Sequence, residues 1–193
     1  MAEPHVPGET AAVGNAGPRL LRILQEIEER CLDNAVGLPQ QRVVEETWEG
    51  VLFSVGGRVL VAPLGEVKEI LNYPATITSV PGTKTWVRGV ANIRGNLLPI
   101  IDLQAFLLGR PTVPGRRSRV LVAEHEGVFT SLLVDEMVGI RHFRPSERSR
   151  EPVDLPDAVG RFVEYYYRLD DEAWPVFGMH RLVESPEFQF AAA

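Results

Sequence analysis

Short runs of alternating apolar residues, each closed by a glycine turn, dominate this 193-residue chain from Trp48 onward and limit what it can fold into. In WEGVLFSVGGRVLVAPL, Val51, Phe53 and Val55 alternate with other residues, and Gly56-Gly57 supplies a hairpin corner. RVLVAEHEGVFTSLLVDEMVGI repeats the pattern with a turn near Glu126-Gly127; FVEYYYRL alternates again, and WPVF makes a short strand. Helical text between them is scarce: GEVKEIL, QAFLLG and a terminal MHRLVES. RPSERSREPVDLPDAVG reads as a long polar loop. With so little helix between strands, the pattern predicts small β-barrels rather than a parallel α/β sheet.

The first 45 residues follow other rules. Residues 1–17 are rich in Gly, Ala, Pro and polar groups, lack periodicity and are expected to be disordered. In PRLLRILQEIEERCLDNAVGLP, Leu20, Leu24, Ile27, Cys31 and Ala35 keep helical spacing, with Arg22, Gln25, Glu26, Glu29 and Arg30 on other faces. Pro18 suits a first turn, and Gly37 and Pro39 suit a stop. The result is an amphipathic helix of about five turns, which either packs on the domain's own surface or docks a partner. The expected organisation is therefore 1–17 disordered, 18–45 helix and linker, 46–186 β domain and 187–193 C-terminal tail.

A net charge of -6 and a pI of about 5.3 argue against a nucleic-acid binder that relies on a basic field. Cys31 is the only cysteine, so an intrachain disulfide and a thiol-rich metal site are both out. The N-terminus lacks the basic and apolar regions of a signal peptide, and no apolar run approaches the ~18 residues of a membrane span. A cytoplasmic protein without direct membrane insertion is expected.

Catalytic groupings score poorly. His5, His125, His142 and His180 are far apart and carry no zinc-ligand spacing. Glu124, His125 and Glu126 are neighbours, as are Asp135 and Glu136, but adjacent strand residues point to opposite faces. No phosphate loop or nucleophile elbow is present. Arg116, Arg117 and Arg119 read as a solvated loop, and Trp48, Trp86 and Trp174 as barrel core or rim. No catalytic residue, cofactor or metal is expected, and the chain does not read as an enzyme.

VRGVANIRGNLLPIIDL is the segment that asks for a function. If Gly95-Asn96 forms a type II′ turn, Ile93 faces Leu98 and Ala91 faces Ile100, an apolar core side. On the other side Arg94 lies opposite Leu97, Asn92 opposite Pro99 and Val90 opposite Ile101. An apolar floor bearing one guanidinium and one amide has the composition of a protein-binding patch. The plainer reading is an Arg94 that pairs with a local carboxylate such as Asp102 and braces the hairpin.

GVANIRGNLLPIIDL resembles the signature of the CheW-type coupling domain of bacterial chemosensory arrays, a G-V-x-N-x-R-G segment followed by a proline-containing strand and Asp-Leu. VLVAPLGEVKEIL is similar to that family's earlier strand and Val-x-Glu-Ile segment, and VLVAEHEGVFTSLLVDEMVGI to its later hairpin. The N-terminal helix leading to GLP, the VDEMVGIRHF segment and the late WPVF strand resemble the pilus (twitching-motility) branch of the family. The likeness spans roughly Trp48 to Glu184. It implies a mainly β protein of two SH3-like five-stranded β-barrel subdomains sharing a core. It implies a non-catalytic adaptor between a methyl-accepting chemoreceptor tip and the regulatory domain of a CheA-type histidine kinase, controlling pilus twitching motility. An adaptor of a flagellar or other chemosensory pathway is the first alternative, and a small β-barrel nucleic-acid-binding module the second. By the same resemblance the kinase-binding residues are Val67, Glu69 and Ile70, and the receptor-binding residues are Asn92, Arg94 and Ile140. Met137 and Gly139 depart from the small aliphatic and polar residues common at their positions.

Overall fold

The structure is a computed structural model that describes residues 16–33, 47–125, 127–151, 153–169 and 172–192. It divides into two compact units, at residues 44 and 45. In the first, α1 (Ala16–Asp33) has 18 residues, the five turns that the spacing predicts. It begins just ahead of Pro18, whose fixed φ suits a first turn. Leu21, Ile23, Leu24 and Ile27 are exposed by 63, 45, 54 and 52%. The expected disorder before residue 16, and the linker with its stop at Gly37 and Pro39, lie outside the described residues. Among the described residues no helix is long and apolar enough to cross a membrane.

The second unit opens with the predicted hairpin, β1 (Trp48–Val55) and β2 (Arg58–Pro63). Gly56 and Gly57 both have positive φ, 61° and 79°. That is a type I′ corner, whose twist matches the strands. Six strands form the first sheet, in the order β8 (Glu136–Phe143), β1, β2, β11 (Glu172–Phe177), β10 (Val163–Leu169), β9 (Arg148–Ser149). Five form the second, in the order β3 (Val67–Asn72), β6 (Arg119–His125), β7 (Val128–Val134), β5 (Asn96–Asp102), β4 (Val87–Ile93). One parallel contact stands in each sheet, β2 with β11 and β5 with β7.

Three apolar clusters explain why most strands are buried on both faces. Phe53, Leu60, Ile101, Leu121, Leu132, Phe177 and Leu182 belong to a main core that both sheets share. Leu52, Val61, Phe143, Tyr167 and Val176 fill the first sheet, and Ala91, Ile100, Val120 and Leu133 the second. Each sheet thus wraps a small core of its own while donating its other face to the common one, as two SH3-like barrels do. Strand β1 shows the effect: Gly50 to Val55 are all buried, where simple alternation predicted one buried face. In the first sheet's core Trp48 packs on Phe143 at 5.4 Å and on Tyr167 at 5.3 Å, and burial raises the Tyr165 and Tyr167 hydroxyl pKa.

Two segments differ from their sequence reading. GEVKEIL is helical only as a single 3-10 turn, Leu64–Glu66, and its remainder is strand β3. Ile70 packs on the main core and Leu71 on the second sheet's core. Consecutive residues on opposite faces are what a strand supplies and a helix does not. The polar loop after Phe143 contains another 3-10 turn, β9 and α3 (Asp157–Gly160).

After β11, α4 (Met179–Glu184) and α5 (Pro186–Gln189) close the chain. The end is tied down: Phe188 stacks on Trp86 at 5.7 Å, and Lys84 donates its N–H to the Ala191 carbonyl. Arg161 also bonds Glu187 at 2.6 Å and holds its carboxyl below the ordinary range. Phe188→Ala therefore removes a ring that stacks against the main core, and an unfolding free energy lower by about 2 kcal/mol is expected in urea.

Candidate partner-binding site

Hairpin β4–β5 carries the site, and its register differs from the sequence expectation. Ile93 pairs with Asn96, Asn92 with Leu97, Ala91 with Leu98 and Val90 with Pro99. The two-residue loop is Arg94-Gly95, with φ of 52° and 88°, a type I′ turn instead of a II′ turn at Gly95-Asn96. The reason is local: the Asn92 carboxamide oxygen accepts the Gly95 N–H at 2.9 Å and draws the loop one residue earlier. Pairing shifts by two positions, which preserves the faces. Ala91 and Ile100 are buried as expected, but Ile93 and Leu98 are only half-buried. On the other face Ile101 enters the main core, so only the turn end of that face is outward.

Arg94 is the only non-glycine residue with positive φ among those described. An L side chain in that region costs about 1 kcal/mol unless it is Asn or Asp. Such strain is typical of residues kept for function. Arg94→Asn relieves it, and the expected result is equal or higher stability, by up to about 1 kcal/mol in chemical denaturation.

The guanidinium does not brace its own hairpin through Asp102. That carboxylate belongs to Arg88, which sits in a β-bulge between Val87 and Gly89 and reaches it at 2.8 Å. Fully buried, Asp102 caps α2 (Leu103–Leu108) by accepting the Ala105 N–H at 3.0 Å, and also accepts the Thr112 N–H and hydroxyl, each at 2.8 Å. Arg94 instead forms an ion pair with Glu69 of β3. One residue from each inferred surface, receptor and kinase, thus meets the other.

Beside that pair opens a cleft of about 630 Å³, lined by Lys68, Glu69, Ile93, Arg94, Asn96, Leu97, Leu98, Pro99, Val122 and Phe129. Ile93 also packs on the second sheet's core, so the cleft is the open mouth of that barrel. Leu97 and Phe129 stand 73 and 48% exposed. Sequence reading had Leu97 on the outward face but missed Phe129. Its signal was available: across the β6–β7 connection it pairs with the polar Glu124, an aromatic where an outward polar residue is usual. Val67 and Ile70 are half-buried against the main core, and Asn92 is exposed. Ile140 is on the other sheet, on edge strand β8, 51% exposed beside Val138 at 52%.

Side chains with catalytic potential are tied into structural pairs. The fold brings His125 and His180, distant in sequence, to 6.3 Å between ring centres. His125 Nε2 meets Glu184 at 2.9 Å, while His180 meets Glu164 at 3.2 Å and Glu66 at 3.4 Å. Among the described residues no three His, Cys, Asp or Glu side chains are grouped to hold a metal. Asp135 accepts the Gly57 N–H at 3.4 Å, Glu136 pairs with Arg117, and Arg119 donates to the Arg116 and Ser118 carbonyls. Trp86 is core, and Trp174 lies under the Arg141 guanidinium at 4.9 Å.

Comparison with known proteins gives a consistent picture. The family described as CheW-like domain matches residues 49–187. Protein PilI of Pseudomonas aeruginosa is 44% identical over 168 residues, 86% of this chain and 93% of that one. Chemotaxis protein CheW of Helicobacter pylori is 26% identical over 134 residues, 69% of this chain and 80% of that one. The crystal structure of scaffolding protein TtCheW from Thermoanaerobacter tengcongensis superposes with a TM-score of 0.63 at 23% identity, covering 73% of this chain and 95% of that chain, which speaks to the fold.

Proposed function

The chain belongs to the CheW-like domain family, and from that premise we propose that it is a non-catalytic adaptor joining a methyl-accepting chemoreceptor to a CheA-type histidine kinase. The observation that supports this reading most is the apolar barrel mouth rimmed by the Arg94–Glu69 pair. Exposed Leu97 and Phe129 supply apolar contact, and Arg94 offers a planar fork for a partner's carboxylates or carbonyls. Asn92, Arg94 and Ile140 are assigned to the receptor tip, and Val67, Glu69 and Ile70 to the kinase regulatory domain. Likeness to PilI favours twitching motility as the output, at receptor arrays on the cytoplasmic side.

Because Arg94 and Glu69 neutralise each other, a partner that engages one releases the other. That exchange is a physical route by which one binding event biases the next. Co-elution of the purified protein with the kinase regulatory domain and, separately, with a receptor signalling tip tests the reading. Binding to both is expected from the wild type. Binding to neither, with authentic cognate partners, would remove the adaptor function and leave only the fold.

A further inference from the structure

We propose that α1 is a self-association element, and that its partner is the α1 of a second copy, packed antiparallel. Leu21, Ile23, Leu24 and Ile27 lie exposed on a helix where half of the other positions are charged. Leu20, Leu24, Ile27 and Cys31 are spaced four, three and four apart, the a/d rhythm of a two-helix seam. An apolar stripe of this kind is rarely left in water on a stable helix.

Charge identifies the occupant. Arg19 and Arg22 occupy the first half of α1, and Glu26, Glu28, Glu29 and Asp33 the second, with Arg30 among them. The first turn holds Arg19 and no acid, against the preference of the helix dipole. Arg19, Glu28 and Glu29 also have no opposite charge three or four positions away in their own helix. A parallel copy sets Arg19 against Arg19 and the acids against the acids. An antiparallel copy crossing near Leu24 sets the basic end of each helix along the acidic end of the other and cancels the two dipoles. The helix complements itself in that orientation only.

Sedimentation equilibrium on the full chain decides it. The wild type is expected to dimerise with concentration, more weakly at high salt. Leu24→Asp or Ile27→Asp, counted in both copies, is expected to weaken the dimer roughly a hundredfold. Near-UV circular dichroism of the β unit should stay unchanged. Arg19→Glu should also weaken it, and adding Glu28→Arg with Glu29→Arg should restore it, since inverting both sides of the Arg19 contact is again self-complementary. A monomer across the concentration series overturns the proposal. So does a dimer indifferent to Leu24→Asp, which places the contact elsewhere, or a triple reversal that fails to restore, which excludes antiparallel self-pairing.

Discussion

Asp102→Ala lowers the unfolding free energy by about 3–4 kcal/mol, because one buried carboxylate serves three elements at once. It accepts from the Ala105 N–H at the start of α2, from the Thr112 N–H and hydroxyl, and from Arg88 in the β4 bulge. Alanine leaves the part-buried Arg88 guanidinium without its counter-charge and an N–H of α2 without its cap. The cap is worth about 1 kcal/mol and the broken ion pair supplies the rest. Urea unfolding followed by far-UV circular dichroism measures the sum. A loss below about 1 kcal/mol would mean that water replaces the carboxylate and that the network is not cooperative.

Arg94→Glu has the largest effect expected on function. Three-quarters of the Arg94 side chain is exposed, so losing its surface ion pair costs the fold no more than about 1 kcal/mol. Receptor-tip affinity should fall by roughly thirtyfold or more, since an unpaired charge of the wrong sign enters the contact. The substitution also faces Glu69, so kinase affinity is expected to fall by a smaller factor through repulsion between the two carboxylates. Adding Glu69→Arg re-forms the pair with its polarity reversed. Titration calorimetry should then show the kinase contact still weakened and the repulsive part relieved. If Arg94→Glu leaves both affinities at wild-type values, the barrel mouth is not the binding surface. If instead the variant loses cooperative unfolding, Arg94 is a structural residue.

Much of this architecture was legible because it is local. A glycine pair that accepts positive φ at positions 56 and 57 closes a hairpin wherever the chain finally sits. The 3.6 period of α1 follows from helix geometry alone. Val67–Asn72 was misread because Val-Lys-Glu-Ile-Leu is short enough to fit either period, and its pairing with β6 decides the matter. The sequence pattern puts hairpin β4–β5 on the correct faces but one residue late at its turn, since Gly95 suits either turn type and only the Asn92 side chain selects between them.

By itself, the sequence determined most element types, most turns, the faces of β4 and β5, and the membership of a family of two-barrel domains. Tertiary structure alone decided which charges meet. Arg88 takes Asp102, Arg94 takes Glu69, and Phe129 joins Leu97 at the mouth of a barrel whose two edge strands, β3 and β4, the sheet's curl brings together. Propensity and periodicity act over a few residues, while these contacts depend on how a twisted sheet closes over its core.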